Sequence, residues 1–317
     1  MRIKGLESGR GLAALIVLLY HIPMVFDFEF PQNELVQILI FPTKFGEQAV
    51  YFFMLLSGFV LSFAFLNTSS IQKFSTWATW RILRLFPVYL SSLFIAGFLL
   101  EPNVRISDLT NAYLFSNLTV YTGVNPPLWS LSVEIIISIL LFPLVKSSNK
   151  SNTKLIIIVV LLYLLSYFAD AWGIKGLLRS ASFFVLGILI FNKRQKFPDI
   201  KNWKKLSLIL LSFLLYFINI KYLNLILLLP LSVALIYFLE NPSRLLVNRF
   251  TLFLGKYSFS LYATHWIALN LINNFKLHSI LEIYLFSVSF SILLAIVFAY
   301  LVEFPCRSFA RKFLFLK

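Results

Sequence analysis

Long apolar segments separated by short basic loops constrain this chain more than any other feature. In lipid, every backbone polar group must be paired inside the segment, so such segments cross a membrane as α-helices. A span needs about 20 apolar residues, and windows of that kind recur along the whole chain. We therefore predict an all-α, polytopic integral membrane protein with about ten transmembrane helices, forming a single domain over residues 1–317. The predicted spans are 9–27, 47–66, 78–100, 127–146, 154–170, 177–192, 205–220, 222–239, 252–273 and 282–303.

The lysines and arginines predict how these spans are oriented. An excess of basic residues marks the cytoplasmic loops of a membrane protein. With a cytoplasmic N-terminus, all but six of the 28 basic residues lie on the cytoplasmic side, the exceptions being Lys44, Arg105, Lys175, Arg179, Lys221 and Lys276. We predict that both termini are cytoplasmic and that the protein is a multi-pass component of the inner (plasma) membrane. Because these loops account for the net charge of +15, we expect the lipid bilayer and no nucleic acid as a partner.

Few residues in the chain could bind a metal or form a disulfide. Cys306 is the only cysteine, and the histidines are His21, His265 and His278. One cysteine excludes an internal disulfide, and three dispersed histidines do not match a zinc-site spacing. We predict no metal, and we expect His278 to lie in a solvated outer loop.

Arg10 and His21 are the most informative pair of polar residues. They stand eleven positions apart in the apolar run RGLAALIVLLYH. Eleven helical steps return a side chain to within about 20° of its starting direction and advance it by roughly 16 Å, so the pair shares one helix face. Ionisable groups at such depth usually mark a functional site. The alternative is an interfacial arginine beside a histidine that only hydrogen-bonds a neighbouring helix.

Arg81 and Arg84 stand three residues apart in WRILRLFPVY, at the predicted cytoplasmic start of the third span. Residues at this spacing are neighbours on one helix face. With Arg10 they would form a positively charged entrance on the cytoplasmic side. Such an entrance suits a phosphate-containing ligand, because guanidinium groups match the geometry of phosphate oxygens. The alternative is that these arginines extend towards lipid headgroups.

Glu134 and His265 are further ionisable residues inside predicted spans. Glu134 lies about two turns into the fourth span, after Trp129, and a carboxylate there needs a partner. Arg179, at the start of the sixth span, is at a compatible depth; an inert ion pair is the alternative. His265 lies midway along the ninth span and would either orient a substrate or complete a polar network.

This set of residues favours general base catalysis by an imidazole on a bound hydroxyl, next to an arginine-lined pocket for an anionic donor. An acyl-imidazole intermediate remains open. A secondary transporter or flippase with an intramembrane polar site is the main rival. A scaffold without enzymatic activity is a weaker one, because it would not need buried histidines and a buried glutamate.

Seven motifs follow one another along the chain: Arg10 to His21, FFMLLSGF at 52–59, Arg81 and Arg84 with LFPVY at 85–89, LWSLSVE at 128–134, Arg179 with FFVLG at 183–187, GKYSFSLYATHW at 255–266, and EFPCR at 303–307. In these motifs and their order the chain resembles the acyltransferase-3 family of membrane O-acyltransferases, in the stand-alone form that lacks the SGNH domain of some relatives. The resemblance implies acetyl-CoA as the donor, bound from the cytoplasm, and a hydroxyl of a surface carbohydrate or lipid-linked glycan as the acceptor, in O-antigen, capsule, exopolysaccharide or a similar glycan.

On this resemblance we assign His21 as the general base. Glu134 is placed beside it, lining the acceptor half of the site or buffering charge around the imidazole. The donor would be held by Arg10, Arg81 and Arg84, and the acceptor by Trp129, Arg179 and His265.

Overall fold

The computed structural model describes residues 3–27, 44–66, 74–100, 124–147, 152–169, 172–193, 207, 228–239, 246–275, 277 and 279–315. All regular structure within these ranges is helical, as predicted. The helices are α1 (Lys4–Phe26), α2 (Gly46–Leu66), α3 (Phe74–Leu100), α4 (Trp129–Leu140), α5 (Phe142–Ser147), α6 (Asn152–Leu165), α7 (Trp172–Lys193), α8 (Leu228–Leu239), α9 (Arg249–Asn273), α10 (Ile280–Phe298) and α11 (Phe304–Phe315). A 3₁₀ turn (Pro126–Leu128) precedes α4, and a π-helical turn (Ala299–Glu303) joins α10 to α11.

The predicted spans overlap these helices wherever the structure describes them, with different ends and one interruption. Only the span 205–220 lies almost wholly outside the described residues. Within the described ranges, five segments are long and apolar enough to cross a membrane: Lys4–Phe26, Gly46–Phe63, Ala78–Leu100, Gly173–Lys193 and Ile280–Lys312. Pro126–Leu140 and Asn152–Leu165 are apolar but shorter. The number of about ten spans and the cytoplasmic location of both termini remain predictions.

The fourth predicted span, 127–146, is interrupted rather than continuous. Helix α4 ends at Leu140, and α5 begins at Phe142. Pro143 accounts for the interruption, because proline has no N–H for the helical ladder and is favoured in the first turn of a new helix. Glu134 therefore lies near the middle of a helix of 12 residues.

Contacts divide the chain into two compact units, which we describe separately. Unit 1 comprises Met1–Leu12, Val50–Ile71 and Ile136–Gly255, and unit 2 comprises Ala13–Ala49, Gln72–Ile135 and Lys256–Lys317. Four of the five boundaries fall inside helices, namely α1, α2, α4 and α9. The single domain over residues 1–317 remains a prediction.

In unit 1, glycines allow α2 and α7 to pack with their backbones in contact. A Cβ on Gly58 would overlap the carbonyl oxygen of Phe184, and a Cβ on Gly187 would overlap that of Leu55. Tyr51 stacks on Phe183 in the same interface, with ring centroids 4.8 Å apart. Small residues promote close helix packing in membranes in this way.

In unit 2, buried apolar side chains from α3, α4, α9, the 3₁₀ turn region and the end of α10 form one cluster, and α9 also carries buried polar residues. The buried apolar set is Val88, Tyr89, Leu93, Ala96, Val124, Leu128, Leu131, Ala263, Ile267 and Phe298. The buried polar residues of α9 within this unit are Ser258, Ser260, Thr264 and His265. Because each polar group in such surroundings needs a hydrogen-bond partner, the contacts of α9 determine the arrangement of the candidate site.

Candidate functional site

Two imidazoles contact each other inside unit 2. His21 comes from α1 and His265 from α9, and both side chains are buried. The Nε2 atom of His265 lies 3.3 Å from the Nδ1 atom of His21, and the ring centroids are 5.0 Å apart. The sequence indicated a function for each histidine separately, and the structure makes them a pair.

Backbone carbonyls orient both rings. The Nδ1 atom of His21 lies 2.8 Å from the carbonyl oxygen of Val17, one helical turn earlier. The Nδ1 atom of His265 lies 2.8 Å from the carbonyl oxygen of Tyr262. A carbonyl oxygen can only accept a hydrogen bond, so each Nδ1 carries a proton. In a neutral ring this leaves Nε2 as the basic nitrogen.

Aromatic side chains surround the imidazole of His21. The ring of Tyr20 meets it edge-on at a centroid distance of 5.0 Å, and that of Trp266 does so at 5.7 Å. Edge-to-face contacts of this kind add to the packing energy and restrict ring rotation. The imidazole of His21 is therefore held in a defined orientation among aromatic side chains.

A buried ion pair joins α3 to α4. The Nη2 atom of Arg81 lies 2.6 Å from Oε1 of Glu134, and the two side chains are 8% and 21% exposed. From its depth in the fourth span we expected Glu134 to need a partner, and we considered Arg179. The observed partner is Arg81. The contact also brings together Arg81, which we assigned to donor binding, and Glu134, which we assigned to the surroundings of the acceptor and of His21.

The α4–α9 interface links the ion pair to the imidazoles. Tyr262 donates its hydroxyl proton to the carbonyl oxygen of Pro127 at 2.6 Å, and Ser130 lies 2.5 Å from the same hydroxyl. Ser130 and Glu134 are four residues apart on α4, so they occupy one face of that helix. Tyr262, whose backbone carbonyl accepts a hydrogen bond from His265, therefore contacts the face of α4 on which Glu134 lies.

The other predicted residues of unit 2 lie around this region. Trp129 is buried and begins α4. Arg84 is half-buried, and its guanidinium carbon lies 5.4 Å from the ring centroid of Trp80. This stacking resembles the cation–π contacts that are typical of interfacial arginines.

Arg10 and Arg179 belong to unit 1. Arg10 is half-buried in α1, which is one continuous helix through Arg10 and His21. Arg179 lies in the second turn of α7, because this helix begins at Trp172, five residues earlier than predicted. Its Nε atom is 3.4 Å from the hydroxyl of Ser166, and its guanidinium carbon is 5.8 Å from the ring centroid of Tyr167.

Sequence reasoning missed the amide and carboxylate that bind the backbone and side chains of α9. Asn125 donates to the hydroxyl of Ser92 and to the carbonyl oxygen of Ala263, both at 3.0 Å. Ser260 donates to the carboxylate of Glu303 at 2.6 Å. The row of hydroxyl residues before His265 was the available signal, because buried hydroxyls require partners.

The described ranges contain no group of three His, Cys, Asp or Glu side chains that could hold a metal ion. Cys306 is a free thiol, partly buried on α11. His278 lies outside the described residues. The absence of a metal from the activity remains a prediction.

Two comparisons with known proteins give a match. A family model described as an acyltransferase domain matches residues 3–303. Acyltransferase MdmB of Streptomyces mycarofaciens is 31% identical over 147 residues, which cover 42% of this chain and 37% of that protein. The matched region is thus well under two thirds of the length of that relative. No solved structure matches the chain.

We expect the ion pair between Arg81 and Glu134 to contribute measurably to stability. Removing one partner of a buried pair costs about 3–5 kcal/mol because it leaves an uncompensated charge, and the partial exposure of Glu134 lowers this cost. Glu134→Leu should therefore lower the unfolding temperature in detergent, and the double variant Arg81→Met with Glu134→Leu should recover most of the loss. Equal stability of Glu134→Leu and the wild type would contradict a buried pair.

Proposed function

This chain belongs to the acyltransferase domain family, and on that premise we propose that it is a membrane O-acyltransferase. It would transfer an acyl group to a hydroxyl of a surface carbohydrate or lipid-linked glycan. The proposed donor is acetyl-CoA, so the acyl group would be acetyl. The observation that carries the proposal is the buried imidazole of His21, whose Nδ1 faces two acceptors and whose Nε2 is left as the base.

The proposed reaction uses His21 as a general base. Nε2 of His21 removes the proton from the acceptor hydroxyl while the oxygen forms a bond to the thioester carbonyl carbon. The bond between that carbon and sulfur then breaks, and the imidazolium returns the proton to the departing thiolate, which gives an ester and free CoA. A positioned base of this kind contributes about 10²–10⁴-fold to a rate. An acyl-imidazole route would use the same nitrogen as a nucleophile.

Arg81 and Arg84 are proposed to hold the phosphates of the donor. Glu134 contacts Nη2 of Arg81 and so fixes the orientation of its guanidinium, whose planar fork matches the geometry of phosphate oxygens. Arg10 keeps its assignment to the donor, which rests on the resemblance. In this arrangement Glu134 acts by positioning Arg81, and its assignment to catalysis is a separate proposal that this contact does not test.

The acceptor is proposed to approach from the opposite side of the inner membrane from the donor. Trp129 and Arg179 keep their assignment to acceptor binding as proposals. Surface glycans such as O-antigen, capsule or exopolysaccharide present many secondary hydroxyls, which are weak nucleophiles. A base that is oriented and shielded from water suits such a substrate, because water would otherwise compete for the acyl group.

His21→Ala should abolish acyl transfer without preventing membrane insertion. The change removes the base, so the rate should fall by about 10²–10⁴-fold. The measurement is the incorporation of base-labile label into extracted glycan from radiolabelled acetyl-CoA, with membranes that contain equal amounts of each protein.

His278→Ala is the matched control, because it removes a histidine that we do not assign to the site. Equal labelling by wild type and His21→Ala would exclude His21 from the mechanism. If membranes with the wild type label none of the supplied glycans, hydrolysis of acetyl-CoA and glycan movement across vesicles should be measured. Glycan transport without acyl transfer would favour a flippase and overturn the proposal.

Variants of Arg81 and Arg84 should weaken donor binding more than acceptor binding. A hydrogen bond to a charged group is worth about 1.5–3 kcal/mol, so Arg84→Gln should raise the KM for acyl-CoA by about 10- to 100-fold. For Arg81 the suitable variant is Arg81→Met with Glu134→Leu, which removes the ion pair without leaving one charge alone. A folded double variant with unchanged affinity for acyl-CoA would limit Arg81 to a structural role.

A further inference from the structure

The structure assigns His265 to the positioning of His21 rather than to substrate binding. This inference rests on the proposed function of His21 as a general base. His265 is 1% exposed, and both of its ring nitrogens lie within hydrogen-bonding distance of protein atoms. A buried ring whose nitrogens are both engaged has no polar atom to offer to a substrate.

The contacts of His265 determine which of its nitrogens carries the proton. Its Nδ1 atom is 2.8 Å from the carbonyl oxygen of Tyr262, which can only accept. The proton of a neutral His265 is therefore on Nδ1, and Nε2 has a lone pair. This lone pair is directed at His21, because Nε2 is the atom that lies 3.3 Å from Nδ1 of His21.

The same reasoning then applies to His21. Its Nδ1 atom faces two acceptors, the carbonyl oxygen of Val17 at 2.8 Å and Nε2 of His265 at 3.3 Å. A proton on Nδ1 satisfies both, whereas a lone pair there would face two other lone pairs. His21 is therefore held in the tautomer in which Nε2 can accept a proton, which is the form that a general base requires.

His265 gains importance when His21 becomes charged. As Nε2 of His21 takes the hydroxyl proton, the Nδ1–H group of the resulting imidazolium becomes a charge-assisted donor to Nε2 of His265. The proton from the acceptor goes to His21 and then to the leaving sulfur, and none passes to His265. The aspartate of a serine-protease triad orients and stabilises its histidine in the same way without becoming protonated.

Two conservative variants separate this role from mere packing. In His265→Gln, the side-chain amide reaches the position of Nε2 and can still accept from His21. In His265→Asn, the shorter amide reaches only the position of Nδ1, so it keeps the hydrogen bond to Tyr262 but does not reach His21.

We expect His265→Asn to lower kcat by about 10- to 100-fold, because it removes one hydrogen bond to a group that becomes charged in the transition state. His265→Gln should recover most of this loss, and the KM values for acyl-CoA and acceptor should stay near those of the wild type. Equal kcat values for the two variants, or a His265→Asn enzyme with a wild-type kcat, would overturn the inference.

A spectroscopic measurement tests the tautomers without relying on activity. The full-length protein with His278→Ala, labelled with ¹⁵N in histidine, contains only the two imidazoles of the pair. Nitrogen chemical shifts in lipid nanodiscs should show a protonated Nδ1 and an unprotonated Nε2 in both rings. A protonated Nε2 on His265 would overturn the inference, because that ring would then donate to His21.

The two measurements distinguish failure of this inference from failure of the proposed function. The expected tautomers in a protein that transfers no acyl group would contradict the proposed function and leave the geometry intact. Acyl transfer that depends on His21 but not on His265 would retain the proposed function and overturn only the positioning role.

Discussion

The requirement that a polar group buried in apolar surroundings has a partner governs unit 2. An unpaired hydrogen-bonding group in such surroundings costs several kcal/mol, and an unpaired charge costs more. His265 meets the requirement through Tyr262 and His21, and Arg81 meets it through Glu134. His21 and Glu134 come from different helices than His265 and Arg81, so these two contacts also fix one helix against another.

Helix α9 is the element on which these contacts converge. Its backbone carbonyls accept from Asn125 and from His265, and its side chains bind Ser130, Glu303 and His21. Burying a helix with this many polar groups inside a membrane protein costs free energy unless every donor and acceptor has a hydrogen-bond partner. Under the proposed function, these contacts fix the orientation of His21 before a substrate arrives, which is what electrostatic preorganisation requires.

The sequence predicted the helices well because apolar length and short basic loops are local signals. It also singled out His21, His265, Arg81 and Glu134, since ionisable residues within apolar runs stand out. It did not predict which of them touch. His21 and His265 are 244 residues apart, and helical periodicity gives the face of one helix but not its neighbour.

Depth estimates from span boundaries were the weakest part of the prediction. Glu134 was compared with Arg179 because both followed predicted outer boundaries, yet Arg81 is its observed partner. The start of α7 at Trp172, five residues earlier than predicted, shows one reason, because it moves Arg179 from the start of the helix into its second turn. The hydroxyl-rich segment of α9 was visible in the sequence, but its partners Asn125 and Glu303 come from distant segments.

A double-mutant cycle on acyl transfer tests most directly whether the two imidazoles act as one unit. Rates of acyl transfer would be measured for the wild type, His21→Ala, His265→Ala and the double variant, each at equal amounts of folded protein. If His265 acts through His21, the double variant should be no slower than His21→Ala, because residues that work as a unit have strongly non-additive effects. Losses that multiply in the double variant would show that the two histidines act independently, and this would contradict the account.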